Sequence, residues 1–301
     1  MDGADVVTVL GWLSTVAGFV VVVLTLRDVF HTLWHASGEG RISRGLARVL
    51  WGATGRLGTH ARDVAGPLLL VSVVACWAVL VVVGGALVYL PAIAAGGFAY
   101  SSNLDPATRS PVVDALYVST VGVSTLGFGD LVPRDGWLRL LAGAQALLGF
   151  SLLTAGVSWV LQVQATLVRR RTTARFLVAV WRTRADGAPP PGDAVLAQAT
   201  ERLANVHVDL GQTAPSYYFR DQDAEASLAW ALHAADDLAS RARGADDGAL
   251  RAGGAALDRV VDELAALLDR RFVRTGGDGA PERADLVRRL ARDHGHPAPD
   301  A

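Results

Sequence analysis

Thr125-Leu126-Gly127-Phe128-Gly129-Asp130 lies between long uncharged runs and holds the residue types in this chain best suited to chemistry. Two glycines two apart flank an aromatic residue and follow a threonine. Glycine takes up backbone angles that other residues resist, so a strand of this composition can turn successive carbonyls to one side. Carbonyls aligned in that way can replace the water around a bare cation. A Gly-x-Gly pattern alone is weak; the setting between apolar runs gives it weight.

Those runs must position the hexapeptide. Residues 6–26 carry no charge and, as a helix at 1.5 Å per residue, cover about 31 Å, the thickness of a bilayer core. Residues 67–90, opened by Pro67 and closed by Pro91, form a second uncharged run. Residues 140–168 form a third, longer than a bilayer needs, so a helix there tilts or projects past the membrane. Composition agrees. Of 301 residues, 51% are hydrophobic and mean hydropathy is +0.31, too apolar for an average soluble protein. The first run starts too acidic and runs too long for a cleavable secretory signal, and is expected to be a retained span.

The loops set the orientation. Arg27, Arg41, Arg44, Arg48, Arg56 and Arg62 lie between the first two runs, and Arg169, Arg170, Arg171 and Arg175 follow the third. Residues 91–136, between the second and third, hold only Arg109 and Arg134. The positive-inside rule places the N-terminus and residues 91–136 outside and the C-terminal third in the cytoplasm. Arg41, Arg44 and Arg48 share one helical face opposite Ile42, Leu46, Val49 and Leu50, the pattern of a helix lying on the inner membrane surface. No span carries a row of arginines, so voltage sensing is not expected.

Residues 112–124, VVDALYVSTVGVS, are too few to span a membrane and lead directly into the hexapeptide. Ser110 and Pro111 suit a helix start, with Asp114 in the first turn. The expectation is a half-span helix entering from outside, followed by non-helical backbone at membrane depth. Such backbone is tolerated only where protein buries it or where it lines a water-filled path. The half-helix C-terminus carries partial negative charge and favours a cation in front of it.

At this point residues 67–168 resemble the potassium-channel pore family: outer helix, pore helix, TLGFGD filter, inner helix. Every fixed position of the family pattern Thr-x-Gly-Tyr/Phe-Gly-Asp is met. The resemblance implies dehydrated K⁺ sites formed by the carbonyls of Thr125, Leu126, Gly127 and Phe128 with the Thr125 hydroxyl. Gly129 completes the outer mouth and Asp130 sits behind the filter. The family surrounds the ion with four such loops, so a homotetramer in the lipid bilayer is implied, with K⁺ as permeant ion and no cofactor. Two positions depart from the commoner pattern. Phe128 lacks the tyrosine hydroxyl that braces the filter, and Val121 stands where some relatives carry a glutamate that pairs with the filter aspartate. Asp130 therefore needs another partner or water. Tyr117 is a candidate for the aromatic cuff that relatives build from tryptophan.

Within residues 137–168, Gly149 reads equally as a gating hinge or as a close helix contact. Phe150, Thr154 and Ser158 are candidates to face the pore cavity. Pro189-Pro190-Pro191-Gly192 reads as a linker. Beyond it, Val195, Ala199, Leu203, Val206 and Leu210, then Leu228, Leu232, Ala235, Leu238 and Ala239, then Leu257, Val260, Val261, Leu264, Leu268 and Phe272 repeat at helical spacing. The expected product is a small helical bundle, its ligand or partner unspecified. Tyr217-Tyr218-Phe219 reads as a docking patch or as a cap on the bundle core, the burial habits of aromatics favouring the cap. His31 and His35 read as an interfacial pair beside Trp34 rather than as metal ligands, and His294 and His296 as part of a polar tail. Asp236-Asp237 and Asp246-Asp247 read as solvated faces and turns.

The expected whole is an all-α membrane protein with three transmembrane helices, a re-entrant pore helix and a cytoplasmic helical bundle. Its parts are an N-terminal span over 1–35, an amphipathic linker over 36–66, the pore over 67–168 and a cytoplasmic helical domain over 169–301. A tetrameric, K⁺-selective channel of the cell membrane is the leading expectation. A weakly selective cation channel and a non-conducting membrane sensor or scaffold are the alternatives. No nucleophile–base pair or metal set suggests an enzyme, and a net charge of −1 argues against nucleic acid. A single cysteine, Cys76, excludes an intrachain disulfide and a Cys-type zinc site and reads as a small core residue.

Overall fold

The computed structural model describes residues 3–34, 40–183, 191–274 and 282–299. Nine helices are present among them: α1 (Gly3–Leu33), α2 (Arg41–Leu57), α3 (Thr59–Ala94), α4 (Pro111–Val123), α5 (Gly136–Arg182), α6 (Asp193–Gln212), α7 (Leu228–Arg243), α8 (Gly248–Leu268) and α9 (Arg283–Asp293). The only strands among the described residues are β1 (Phe98–Tyr100) and β2 (Leu131–Pro133). The protein is an all-α membrane protein: Thr8–Leu33, His60–Ala94 and Gly136–Arg182 are each long and apolar enough to cross a bilayer. His35, Pro189 and Pro190 lie outside the described residues, so the His31–His35 pair and most of the proline linker are not placed.

Two helices run past their expected limits. α3 runs through both Pro67 and Pro91 instead of stopping at them. Pro91 has no N–H to offer the carbonyl of Leu87, four residues back. Ser14 of α1 supplies the missing donor, its Oγ donating to that carbonyl at 2.7 Å. At the other boundary, α5 does not end with the apolar run at 168 but continues to Arg182, because its charged residues beyond 168 find acidic partners.

The chain divides into two compact units. The first comprises the described residues of 1–35 and 39–44 together with 71–160. Here α1 packs on α3 of its own chain. A Cβ at Gly18 would overlap the Gly84 carbonyl and one at Gly84 would press on Val22, so the missing side chains let the two backbones close. Asp28, buried near the end of α1, accepts from Ile42 N at 2.8 Å, from Ser43 Oγ at 2.9 Å and from Trp77 Nε1 at 3.0 Å. The carboxylate thus satisfies the first free N–H groups of α2 and ties α1 to α3. Ala86, Tyr89, Ile93, Phe98, Ala115, Leu131 and Leu138 form the core that joins α3, α4, α5 and the β ribbon.

The second unit comprises residues 45–70 and the described residues of 161–301. Leu203 and Leu210 of α6, Leu232 and Leu238 of α7, and Leu257 and Leu264 of α8 are buried, as their periodicity predicts. At the start of α6 the buried residue is Leu196 rather than Val195. Asp247 caps α8 by accepting from Ala249 N and Leu250 N, which holds its carboxyl below the usual range.

Tyr217, Tyr218 and Phe219 form part of the core and not a docking patch; Tyr217 is 1% exposed and stacks on Phe272 at 4.1 Å. Nor do His294 and His296 belong to a free tail: both are buried. The short, arginine-rich α9 hides an apolar stripe, Leu286, Val287, Leu290 and Ala291, that docks it. That docking carries the histidines inside. The two ring nitrogens of His294 lie 3.1 Å from Leu290 O and 2.9 Å from Tyr217 O.

Burial lowers the pKa of His294, outweighing the neighbouring Asp293, and Arg170 adds to the lowering. His296 is shifted the same way, first by burial, then by Arg220 and His294. A histidine neutral in the fold contributes stability above its unfolded pKa, and that contribution falls as acid protonates the unfolded chain. The melting temperature of the full chain is therefore expected to fall on acidification below about pH 6.5. His294→Gln, which does not titrate, is expected to flatten that dependence. An equally steep fall in the variant would show that the histidine is not its source.

Candidate functional site

α4 starts where the sequence suggests. Ser110 is its N-cap residue, Pro111 occupies the first helical position, and Asp114 N donates to Ser110 O at 3.0 Å. Asp114 is buried in the first turn, where it accepts from Arg109 Nε at 2.8 Å and from the Tyr100 hydroxyl at 2.9 Å. β1 is thereby pinned to the start of α4.

At the other end the chain leaves the helix without losing its backbone bonds. Thr125 N donates to Gly122 O at 3.0 Å and Leu126 N to Val121 O at 3.1 Å. The backbone then alternates. Thr125, Gly127 and Gly129 have φ of 58°, 57° and 75°, while Leu126 and Phe128 between them do not have positive φ. Alternating left- and right-handed residues keep successive carbonyls from pointing to opposite sides, as they do in a β-strand. Glycine bears this conformation at little cost at two of the three positions, and Thr125 is one of only two non-glycine residues with positive φ among the described residues.

The segment ends on the ribbon. Ser101 N donates to Asp130 O at 2.8 Å, β1 pairs antiparallel with β2 in the register Phe98↔Pro133, Ala99↔Val132 and Tyr100↔Leu131, and Arg134 N reaches Gly97 O at 2.9 Å. Both ends of the hexapeptide are thus anchored, one to α4 and one to β1.

Asp130 finds a partner that the sequence left open. The Tyr117 hydroxyl donates to Asp130 Oδ2 at 2.6 Å, and Leu131 N donates to Oδ1 at 3.1 Å. Tyr117 and Val121 lie four apart on α4, on one face. A cavity of about 280 Å³ lies behind the hexapeptide, with Tyr117, Val121, Gly122, Ala142 and Ala146 in its wall. Val121 contributes apolar surface there, and the brace for the aspartate comes from one turn earlier. Tyr117→Phe removes a charge-assisted bond of about 2 kcal/mol. It is expected to lower the melting temperature of the full chain and, in bilayers, to speed the decay of any current. Current decay unchanged in the variant would rule out a bracing role.

Leu126 is 59% and Phe128 66% exposed within one chain, and Phe150, Thr154 and Ser158 on α5 are exposed as well. Gly149 is buried against Val123, so its close-contact role is visible in the geometry. Among the described residues no group of three or more His, Cys, Asp or Glu side chains is arranged to hold a metal.

Residues 74–164 match the family model described as "Ion channel". Over this segment the chain is similar to ion channels. Over 169 residues, 55% of this chain and 48% of the relative, the chain is 29% identical to the uncharacterized membrane protein YdjJ of Bacillus subtilis. Over 76 residues, 23% of this chain and 19% of the relative, it is 37% identical to two-pore potassium channel 5 of Arabidopsis thaliana. The chain spans less than half the length of each of these relatives. No solved structure matches it.

The same segment also contains residues that its local patterns did not reveal. Ser119 and Gln145 are both buried and bonded to each other at 2.7 Å. Gln145 is one of three glutamines in the uncharged run 140–168, with Gln162 and Gln164, so the sequence did not single it out.

Proposed function

We propose that the protein is a homotetrameric, K⁺-selective channel that conducts passively through Thr125–Gly129. The observation that carries this is the alternation of backbone signs at Thr125, Gly127 and Gly129, held between α4 and the β ribbon. It suits carbonyls that share one side and face a dehydrated cation. Thr125, Leu126, Gly127 and Phe128 supply the ion sites, Gly129 the outer mouth, and Asp130 with Tyr117 the bracing behind them. The partial negative end of α4 adds a field that favours a cation.

Four chains are invoked because one chain supplies one loop, and because Leu126 and Phe128 are too exposed in a single chain for apolar residues beside a pore. Phe150, Thr154 and Ser158 then line the inner path. The arginine count of the loops supports a cell-membrane orientation with the N-terminus outside and residues 169–301 in the cytoplasm. The pore occupies 67–168, preceded by the N-terminal span over 1–35 and the linker over 36–66.

Bi-ionic currents from purified protein in planar bilayers test this. A reversal potential that shifts when Na⁺ replaces K⁺ on one side is expected. No shift would leave a weakly selective cation channel, a reading favoured by the missing hydroxyl at Phe128. Absence of current from a verified tetramer would favour a non-conducting sensor or scaffold.

A further inference from the structure

A polar thread crosses three helices behind the pore helix. Gln145 of α5, 7% exposed, donates from Nε2 to Ser119 Oγ of α4 at 2.7 Å, and Ser119 Oγ donates to the Val82 carbonyl of α3 at 2.7 Å. A Cβ at Gly85 on α3 would overlap both the Gln145 amide nitrogen and Ser119 Oγ, so the bare backbone there admits the pair.

One turn further along, α5 touches α4 again. A Cβ at Gly149 would overlap the Val123 carbonyl oxygen. Ser119 and Val123 are four apart on α4, and Gln145 and Gly149 four apart on α5, so each pair lies along one helical face. α5 therefore holds the last turn of α4 at two points. That same turn roots the hexapeptide, through the bonds from Thr125 N to Gly122 O and from Leu126 N to Val121 O. Displacement of α5 has a short, bonded route to the first ion-facing residues.

Packing alone does not account for Gln145. Its Oε1 is buried with no hydrogen-bond partner among the described residues, a costly arrangement in apolar surroundings. Leucine would fill the space without that cost. What the amide adds is the donor to Ser119.

We infer that Gln145 is a positioning residue: its bond to Ser119, with Gly149 seated on Val123, makes the ion affinity of Thr125–Gly129 depend on the placement of α5. This role presupposes the ion filter proposed above.

The test uses the full chain, purified in detergent with the tetramer verified by mass, and compares thermal unfolding in KCl and in NaCl at equal ionic strength. An ion that binds only the folded form raises the midpoint by an amount set by its affinity. The wild type is expected to show a K⁺-dependent increment. Gln145→Leu is expected to lose most of it, with apparent K⁺ affinity from a KCl titration weakened about tenfold or more. Ser119→Ala is expected to do the same, and the double variant to lose no more than either single one. If Gln145→Leu does not assemble, Ser119→Ala carries the test, since it breaks the same bond.

A wild type without a K⁺ increment would overturn the filter itself. A wild-type increment retained in both single variants would overturn the positioning role alone. So would a midpoint lowered equally in both salts, which is the mark of a merely structural residue.

Discussion

Gly127→Ala is expected to abolish K⁺ current. Gly127 has φ of 57°, and nothing lies within 4 Å of where its Cβ would sit. The penalty is therefore conformational and not a clash within the chain. An L-residue in the left-handed region costs about 1 kcal/mol. In a ring of four the cost is about 4 kcal/mol, roughly a thousandfold loss of the conducting backbone at 1.4 kcal/mol per decade. Macroscopic currents from equal amounts of verified tetramer in planar bilayers measure it. Gly143→Ala is the control. That residue also has open space around its Cβ position, but it lies in α5 at ordinary helical angles, and its currents are expected to persist. Undiminished K⁺ current in Gly127→Ala would remove the hexapeptide from the conduction path.

The largest stability effect is expected at Asp221. Arg170 and Asp221 are 2% and 3% exposed and pair at 2.8 Å, while Arg170 also donates to the carbonyls of Ser216 and Phe219. Asp221 further accepts from Arg171 at 2.7 Å. Removing one partner of a buried pair leaves an uncompensated charge, at a cost of about 3–5 kcal/mol. Asp221→Ala is thus expected to lower the unfolding midpoint of the full chain by about 10 °C, taking about 2–4 °C per kcal/mol. Replacing both residues, as Arg170→Met with Asp221→Ala, is expected to recover much of the loss, because no charge is then stranded. Asp223→Ala breaks the exposed pair with Arg175 and is expected to move the midpoint little. Equal effects from Asp221→Ala and Asp223→Ala would contradict the burial argument.

The parts of the fold visible in the chain were those that lipid dictates. A bilayer demands about twenty apolar residues per span, and α1, α3 and α5 satisfy that demand by composition alone. The limits of those helices were harder to read. Pro91 looked like a stop because proline removes an N–H, but Ser14, 77 positions away in sequence, provides the replacement donor. Residues 169–182 looked like a break from the apolar run, yet Arg169 and Arg170 extend α5 because Asp209 and Asp221 come to meet them. His294 and His296 looked like tail residues because α9 is short and charged, and only its docking showed them to be buried.

The candidate site divides the same way. The Ser110-Pro111 helix start and the short apolar helix after it were legible because each rests on residue types at fixed local spacing. Arg41, Arg44 and Arg48 showed an amphipathic helix over 41–51 for the same reason, recurring at helical intervals, and α2 extends it to Leu57. Val121 offers Asp130 no polar partner, and the donor four residues earlier, Tyr117, became visible only in the structure.

The sequence by itself determined the kind of molecule: three apolar spans, a short apolar helix between the second and third, and a glycine-rich hexapeptide whose backbone can take left-handed angles. These follow from hydropathy, charge asymmetry and local stereochemistry, which act over a few neighbouring residues. Only the tertiary structure decided who braces whom. Tyr117 reaches Asp130, Gln145 reaches Ser119, Gly149 admits the Val123 carbonyl, and Asp28 gathers the ends of α1, α2 and α3. Such pairings depend on how helices distant in sequence approach one another, and hydrogen bonds and close backbone contacts act only over a few ångströms.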